Sequence, residues 1–529
     1  MKKRILALLL TVVLLFSATA FIGCTDDADG LDDSDYTEYN DYINNDDGEN
    51  EPNIYDISDF PQYITIRGRQ ISTTATVLSL TYEMLTDAEL EPLKYMVWLE
   101  SLHIWSDYGG AGNLISDLSP LAGMKNLTAL SIGEGQISDL SPLSGLTSLT
   151  EVNIWNNEIS DISPLAELTN LTELALSFNN IRDVTPLAGL TNLERLFLPD
   201  NQIRDIAPLA ELTNLTWLML WRNHITDISV LSGLTNLLGL GIGENQIFNI
   251  NPLSELTNLE ILHLNDTRIN DISALAGMVN ITALDLRQAD INDISVLADM
   301  TNLEQLQLSD SQVSDISPLA GLTNLTQLNL WSNQISDITP LADLTNLEGL
   351  NLFDNQISDI SPLAGLTNLT WLSLRDNQIS DISALAELIS LTQLFLSENQ
   401  ISDITPLAAL SNLQWLGLFD NQISDISVLT GLTGLIQLEL WNNQISDISS
   451  LAELSSLWSL NLFNNQVSDI SPLARLTNLT WLSLRDNEIS NIAALADLTN
   501  LEVVQIGGNH LSAEQTAALR EVLSNAYIH

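Results

Sequence analysis

Acid–base or nucleophilic catalysis would draw on histidine, and the five in this 529-residue sequence stand far apart, at His103, His224, His263, His510 and His529. A nucleophile, its base and an orienting group must come within hydrogen-bond reach of one another, and no stretch offers that set. One cysteine, Cys24, leaves neither a disulfide framework nor a cysteine zinc site. Ser-Asp pairs such as Ser336-Asp337 recur at a constant interval, which marks them as structural. The chain therefore reads as a non-enzyme, with no cofactor or metal expected. The chemistry it does suggest is ring stacking and charge-assisted contact. Trp371, Trp415 and Trp481 differ by multiples of 22, as do Trp331 and Trp441, Phe353, Phe419 and Phe463, and Arg375 and Arg485. Phe395 falls among them.

Such spacing requires a scaffold of the same period. Leucines at 127, 149, 171 and onward to Leu501 mark seventeen steps of 22 without insertion or deletion, Ile281 being the one substitute. Two irregular units precede them, one opening at Leu99 with an insertion at 107–113, the other around 77–80. With that leucine as position 1, the x-Leu-x-Leu-x stretch alternates with period two and predicts a short strand, leucines inward. Asparagine fills position 9 in fourteen of the eighteen regular units, where its amide can satisfy backbone groups as the chain leaves the strand. Thr267, Ala289 and Ser311 interrupt that row, marking either a softer segment or drift. Apolar positions 11, 14, 17 and 20 continue the core. Asp at position 13 caps backbone N–H groups before a short helical turn, whose first residues accept proline. One unit cannot bury its own apolar face, so neighbours must stack into a solenoid. About twenty strands at ~4.8 Å give an inner arc on the order of 95 Å.

Positions 3, 5 and 7 then point outward from the sheet onto the inner face. Nine of eleven tryptophans occupy position 3 or 7, including Trp105, Trp155, Trp217 and Trp221. Eight successive units, from Trp331 to Trp481, each place a large aromatic there. Arg195, Arg222, Arg287, Arg375 and Arg485 share this face. The proposed ligand-binding set is Trp331, Phe353, Trp371, Arg375, Phe395, Trp415, Phe419, Trp441, Phe463, Trp481 and Arg485, since Trp and Arg dominate binding hot spots. The alternative is a structural ladder of rings packed on one another. Arg375-Asp376 and Arg485-Asp486 could equally form local ion pairs.

This periodicity is that of the leucine-rich repeat. The 22-residue form with Ile-Ser-Asp-Ile-Ser-Pro-Leu resembles the internalin family of bacterial surface proteins, over roughly residues 77 to 511. The resemblance implies an α/β repeat solenoid, a horseshoe with a parallel sheet on the concave face and short 3-10 or helical turns on the convex face. It also implies non-catalytic recognition of a protein partner by the concave face. Carbohydrate binding on tryptophan faces and a ligand-free surface spacer are the rival functions.

The N-terminus supplies an address. Lys2, Lys3 and Arg4 precede an apolar run from Ile5 to Phe16 and small residues to Ala20, the layout of a secretory signal over 1–23. Phe21-Ile22-Gly23-Cys24 resembles a bacterial lipobox, with Cys24 the lipidated residue; an ordinary signal peptide is the alternative. Residues 24–60 are expected to form an acidic, disordered tether, with fourteen Asp or Glu and no Lys or Arg from Thr25 to Phe60. Its Asp-rich runs lack the ligands of a calcium loop at the first and twelfth positions. An N-terminal cap and first repeat are assigned to 61–98, with strand character over Ile64–Ser72, repeats to 99–511 and a capping helix to 512–529. In that helix Leu519, Val522 and Leu523 are expected to face inward. Neither an immunoglobulin-like module nor a wall-sorting signal is read after Tyr527, so anchorage is expected to fall to Cys24. With 17 Lys+Arg against 68 Asp+Glu, the formal charge of −51 excludes direct nucleic-acid binding. Expected partners are a protein ligand, with polysaccharide as the other class, and a membrane reached through lipid; the expected place is the outer face of a bacterial cell. Intact-mass spectrometry of the mature chain is predicted to find an acylated Cys24 as its first residue; a start elsewhere would remove the anchor.

Overall fold

The computed structural model describes residues 60–81, 84–105 and 112–529. Cys24, the signal segment, the acidic stretch to residue 59 and residues 106–111 of the insertion lie outside the described residues.

Within each unit the alternation of leucines yields a strand of three to five residues. Trp371–Ser373 is typical, with Leu372 fully buried behind it. It pairs in parallel with the next unit at an offset of 22, Trp371 opposite Gln393 and Leu372 opposite Leu394. Among the described residues, repetition builds an open sheet of twenty-one strands, from β3 (Val77–Thr81) to β23 (Tyr527–Ile528). Behind it the chain returns through short 3-10 segments such as Ser317–Leu319 and Ser361–Gly365, most with proline in the first turn. Between sheet and turns lies one continuous core of Leu and Ile, nearly all fully buried. Each such side chain contributes about 1.5–3 kcal/mol by leaving water, and most of its contacts belong to adjacent units.

Three polar ladders register the units. Asn377 donates from Nδ2 to the carbonyls of Leu352, Leu374 and Arg375 at 2.9, 3.2 and 3.1 Å, while its Oδ1 accepts from the Ile357 N–H at 2.9 Å. That one buried amide therefore ties its own unit to the preceding one. At position 22, Asn368 donates to the Thr345 carbonyl at 2.9 Å. At position 13, Asp359 accepts from the Ser361 N–H at 2.8 Å and caps the 3-10 turn. The row of position-9 amides breaks over three units. Thr267 Oγ1 donates only to Leu264 of its own unit, Ala289 has no polar atom to offer, and Ser311 turns to Ser309. Strand pairing runs through this segment without a gap, so the break is confined to side chains.

Position 8 is left-handed throughout, with φ between 50° and 57° from Glu134 to Asp486 and Gly508 at 73°. Asp and Asn are common there because their short polar side chains tolerate this region.

The ends are closed differently. At the N-terminus the expected strand over Ile64–Ser72 is two antiparallel strands, β1 (Tyr63–Ile66) and β2 (Arg69–Ser72). They reverse at Arg67-Gly68, both with positive φ. A one-turn helix, α1 (Asp87–Leu90), follows β3. At the C-terminus Ser512 and Gln515 exchange capping hydrogen bonds at 3.2 and 2.9 Å and open α2 (Ala513–Val522). Leu519 and Leu523 are buried, but Val522 is 54% exposed and does not face inward. Leu523 leaves the helical path and the chain turns back, so that β23 pairs with β22 (Val503–Gln505) and Ile528 completes the seal.

Asn377→Ala strips the buried Ile357 N–H of its acceptor, while the Leu352 carbonyl keeps the bond from Asn355, and should cost about 1–3 kcal/mol in urea unfolding. The exposed Asn368→Ala should cost less. The position-13 aspartates give a pH signature. Hydrogen bonds from the Ser361 N–H and hydroxyl hold Asp359 below its ordinary value, and the same bonds act on Asp315 and Asp425. Since folded values lie below unfolded ones, this support is complete above the ordinary carboxylate range and lost as pH falls through the folded value. Asn caps the same turn at Asn249 and Asn491. Asp315→Asn, Asp359→Asn and Asp425→Asn together should therefore shrink the drop in melting temperature between about pH 5 and pH 3.

Candidate recognition surface on the strand face

Strand geometry sends positions 3, 5 and 7 to the side opposite the leucine core, and the 22-residue offset lines like positions into columns. Position 7 forms the most connected of them. Trp331 and Phe353 stack with centroids 6.4 Å apart and planes 24° off parallel. Phe419 and Trp441 lie closer, at 4.2 Å and 9°, and Trp441 meets Phe463 at 6.4 Å. Guanidinium groups fill the intervals. Arg375 lies 5.2 Å from the Phe353 ring and 5.1 Å from Phe419, reaching past Ser397 in the unit between. Arg485 closes the column 5.7 Å from Phe463. These are cation–π distances.

The alternative of local ion pairs, Arg375–Asp376 and Arg485–Asp486, is not the one seen among the described residues. Arg375 binds Glu398 of the next unit, Nη2 to Oε1 at 2.6 Å, rather than Asp376, and among the described residues Arg485 has no ion pair. Stacking on the rings draws both guanidiniums along the column. Beneath Arg375, the buried Ser397 hydroxyl makes no hydrogen bond.

Position 3 is less joined. Trp371 meets Phe395 at 6.0 Å and 52°, whereas Trp415 and Trp481 have no ring neighbour among the described residues. Trp415, 40% exposed, is the most open ring of the proposed set, the others being half-buried. Next to it, Gly417 places no side chain opposite Glu439, whose carboxyl burial pushes above its ordinary value. Earlier tryptophans are seated on glycines: a Cβ at Gly133 or Gly239 would collide with the rings of Trp155 and Trp217. Stacking and seating thus satisfy part of the aromatic area internally, and within the proposed set Trp415 keeps the most ring surface open.

The remaining inward arginines are committed to carboxylates. Arg195 pairs with Glu173 across adjacent strands, and Arg287 with the buried Asp285 at 2.7 Å. Arg222, at position 8, bridges Asp200 at 2.9 Å and Glu244 at 2.8 Å while lying 5.7 Å from the Trp221 ring. His263 faces Asp285 in register; burial lowers its pKa and keeps it neutral near pH 7. His103 Nε2 lies 2.8 Å from the Ser101 hydroxyl, but its buried Nδ1 has no hydrogen-bond partner among the described residues, so no third group orients the ring. Among the described residues no group of three His, Cys, Asp or Glu is placed to hold a metal ion, and no helix is long and apolar enough to cross a membrane.

Two features escaped the sequence reading. Trp458, at position 2, is 43% exposed on the flank beside Ile436, where Gly434 and Ser456 replace the usual position-22 asparagine. The break in the Thr-Asn-Leu-Thr pattern was the available signal. Position 8 also forms a rim along the column, and Asp354, Asp376, Glu398 and Asp420 occupy it in four successive units. Burial, and then the charges of Glu398 and Asp354, raise the Asp376 pKa.

The leucine-rich-repeat family model (two copies) matches residues 125–167, 147–189, 169–211, 191–232, 301–343, 323–365, 367–409, 411–453 and 433–475. Among solved structures, an internalin of Listeria monocytogenes is 34% identical, covering 66% of this chain and 89% of its own, with a TM-score of 0.45. A leucine-rich-repeat protein of Leptospira interrogans is 24% identical, covering 78% and 92%, at 0.51. The Arabidopsis receptor kinase HAESA, solved with a peptide hormone and a co-receptor, is 21% identical over 85% and 84%, at 0.61. No curated protein sequence matches. With the repeat matched over more than half of the sequence, the chain belongs to the leucine-rich-repeat family.

Proposed function

We propose that this is a non-catalytic recognition protein of a bacterial surface, held by lipid at Cys24, that binds a protein partner through the inner strand face. The observation that carries the reading is the unbroken aromatic run from Trp331 to Trp481. Nothing in the core requires it, since every ring lies on the side of the sheet away from the leucines. Open aromatic area costs free energy until something covers it, and Trp415 with the edge of the Phe419–Trp441 stack offers that area in one place. Leucine-rich repeats commonly mediate recognition between proteins, and the internalin-like spacing extends this to a surface-exposed role. The lipobox-like Phe21-Ile22-Gly23-Cys24 supports the anchor.

The internal stacking of Trp331–Phe353 and Phe419–Trp441 favours a second reading, a surface spacer whose rings serve only rigidity. A pull-down separates the two. Purified residues 25–529 are offered extracted surface proteins and insoluble polysaccharides in parallel, beside a variant with Trp371→Ala, Trp415→Ala, Trp441→Ala and Trp481→Ala whose fold is verified by circular dichroism. Retention of a protein by the parent and its loss in the variant is expected. Retention of polysaccharide alone would replace the partner class, and equal behaviour of parent and variant would make the spacer the answer.

A further inference from the structure

The position-8 rim beside the aromatic column has an internal precedent for how it is completed. In the unit opening at Leu215 the rim residue is Arg222, and its guanidinium lies between the carboxylates of Asp200 and Glu244 and near the Trp221 ring. A second guanidinium, Arg375, lies near two column rings and pairs with the rim carboxylate Glu398. Each cation thus takes up two elements, a rim carboxylate and a ring. Those elements continue to either side of Arg375, whose charge also acts on Asp376 although its ion pair is with Glu398. Asp354, Asp376 and Asp420 line the same rim beside Phe353, Phe419 and Trp441. Among the described residues none of the three has an ion pair, although Asn442 donates to Asp420 at 2.7 Å. Backbone bonds carry the inter-strand spacing through these positions, from the Asp354 N–H to the Arg375 carbonyl and from the Asp420 N–H to the Trp441 carbonyl, both 3.0 Å.

We infer that the partner is a protein that docks a basic segment along this rim, the cationic ends of its Lys or Arg side chains at Asp354, Asp376 and Asp420 and their apolar stems along the open edge of the position-7 column. The inference rests on the reading of the strand face as a protein-binding surface and specifies the partner's chemistry. Charge complementarity commits the occupant to a cationic chain. Only nine basic residues fall between 127 and 511, and the chain as a whole carries −51. A neutral polysaccharide would leave the rim carboxylates unpaired, and an acidic segment would be repelled. The column supplies what a generally acidic surface lacks, an apolar wall beside the carboxylates along which Lys and Arg stems can pack.

The test must separate this seat from diffuse attraction to an acidic protein. Three labelled peptides of equal length, alternating Arg-Ser, Gln-Ser and Glu-Ser, are titrated into residues 25–529 at physiological salt. Binding of Arg-Ser alone is expected. Asp354→Asn, Asp376→Asn and Asp420→Asn together should weaken it by at least about tenfold. Asparagine tolerates the left-handed backbone these residues adopt, so the fold is kept. A control removes the same charge from exposed return-path positions, Glu211→Gln, Glu255→Gln and Glu387→Gln, and should change binding less than about twofold. Phe419→Leu with Trp441→Leu, which cuts back the apolar wall beside Asp420, should also weaken it. Equal loss in the rim and control triples, or equal binding of Gln-Ser, would overturn the inference. If the tryptophan variant loses a native protein partner while the rim triple keeps it, the inference fails and the recognition reading stands.

Discussion

Everything in this molecule depends on the fact that one 22-residue unit cannot bury its own leucines. A strand of three residues and a single 3-10 turn enclose too little space, so each core side chain must be covered from both neighbouring units. Stability is therefore a sum of interfaces between repeats, and register between repeats matters more than any local propensity. The amide of Asn377 acts at that level, joining backbone groups of two units across a gap that leucine packing alone would leave free to slide.

The same constraint explains the division of labour around a repeat. The core and ladder positions are fully employed and nearly invariant along the chain. The positions facing away from the leucines carry no such duty and are where tryptophan, phenylalanine and arginine collect. Because like positions stack into columns with about 4.8 Å from one strand to the next, chemistry on this face is built by repetition, ring upon ring and carboxylate beside carboxylate. A guanidinium placed in a column is caught by whatever precedes and follows it. That is why Arg375 pairs with Glu398 of the next unit rather than with Asp376 beside it in sequence.

The interruption at Thr267, Ala289 and Ser311 shows how the layers differ in tolerance. Three consecutive units lose the cross-unit amide, yet the strand pairing and the buried leucines continue through them. Thr267 and Ser311 turn their hydroxyls to carbonyls of their own units, which satisfies local groups without linking units. Backbone pairing and apolar contact thus maintain the array where the side-chain ladder lapses.

Much of this was legible in the sequence because a strict period turns residue number into position in space. The parallel solenoid, the inward leucines, the position-9 amides, the aspartate caps and the face that bears the aromatics all follow from spacing alone. What the period does not encode is how neighbouring side chains share room. Whether a tryptophan lies open or seated depends on the residues beside it in adjacent units: Trp155 rests on Gly133, while Trp415 stays exposed. The ends, which have no period, were the least legible. Val522 was expected inward from its helical spacing, but the chain leaves the helix at Leu523 to add β23, and the seal falls to Leu519, Leu523 and Ile528. The sequence by itself determined the architecture and the face on which chemistry gathers, since both depend on the repeat. Only the tertiary structure decided which rings stack, which carboxylates the arginines take and which rim positions remain unpaired, since those contacts join residues about 22 positions apart whose side chains compete for the same space.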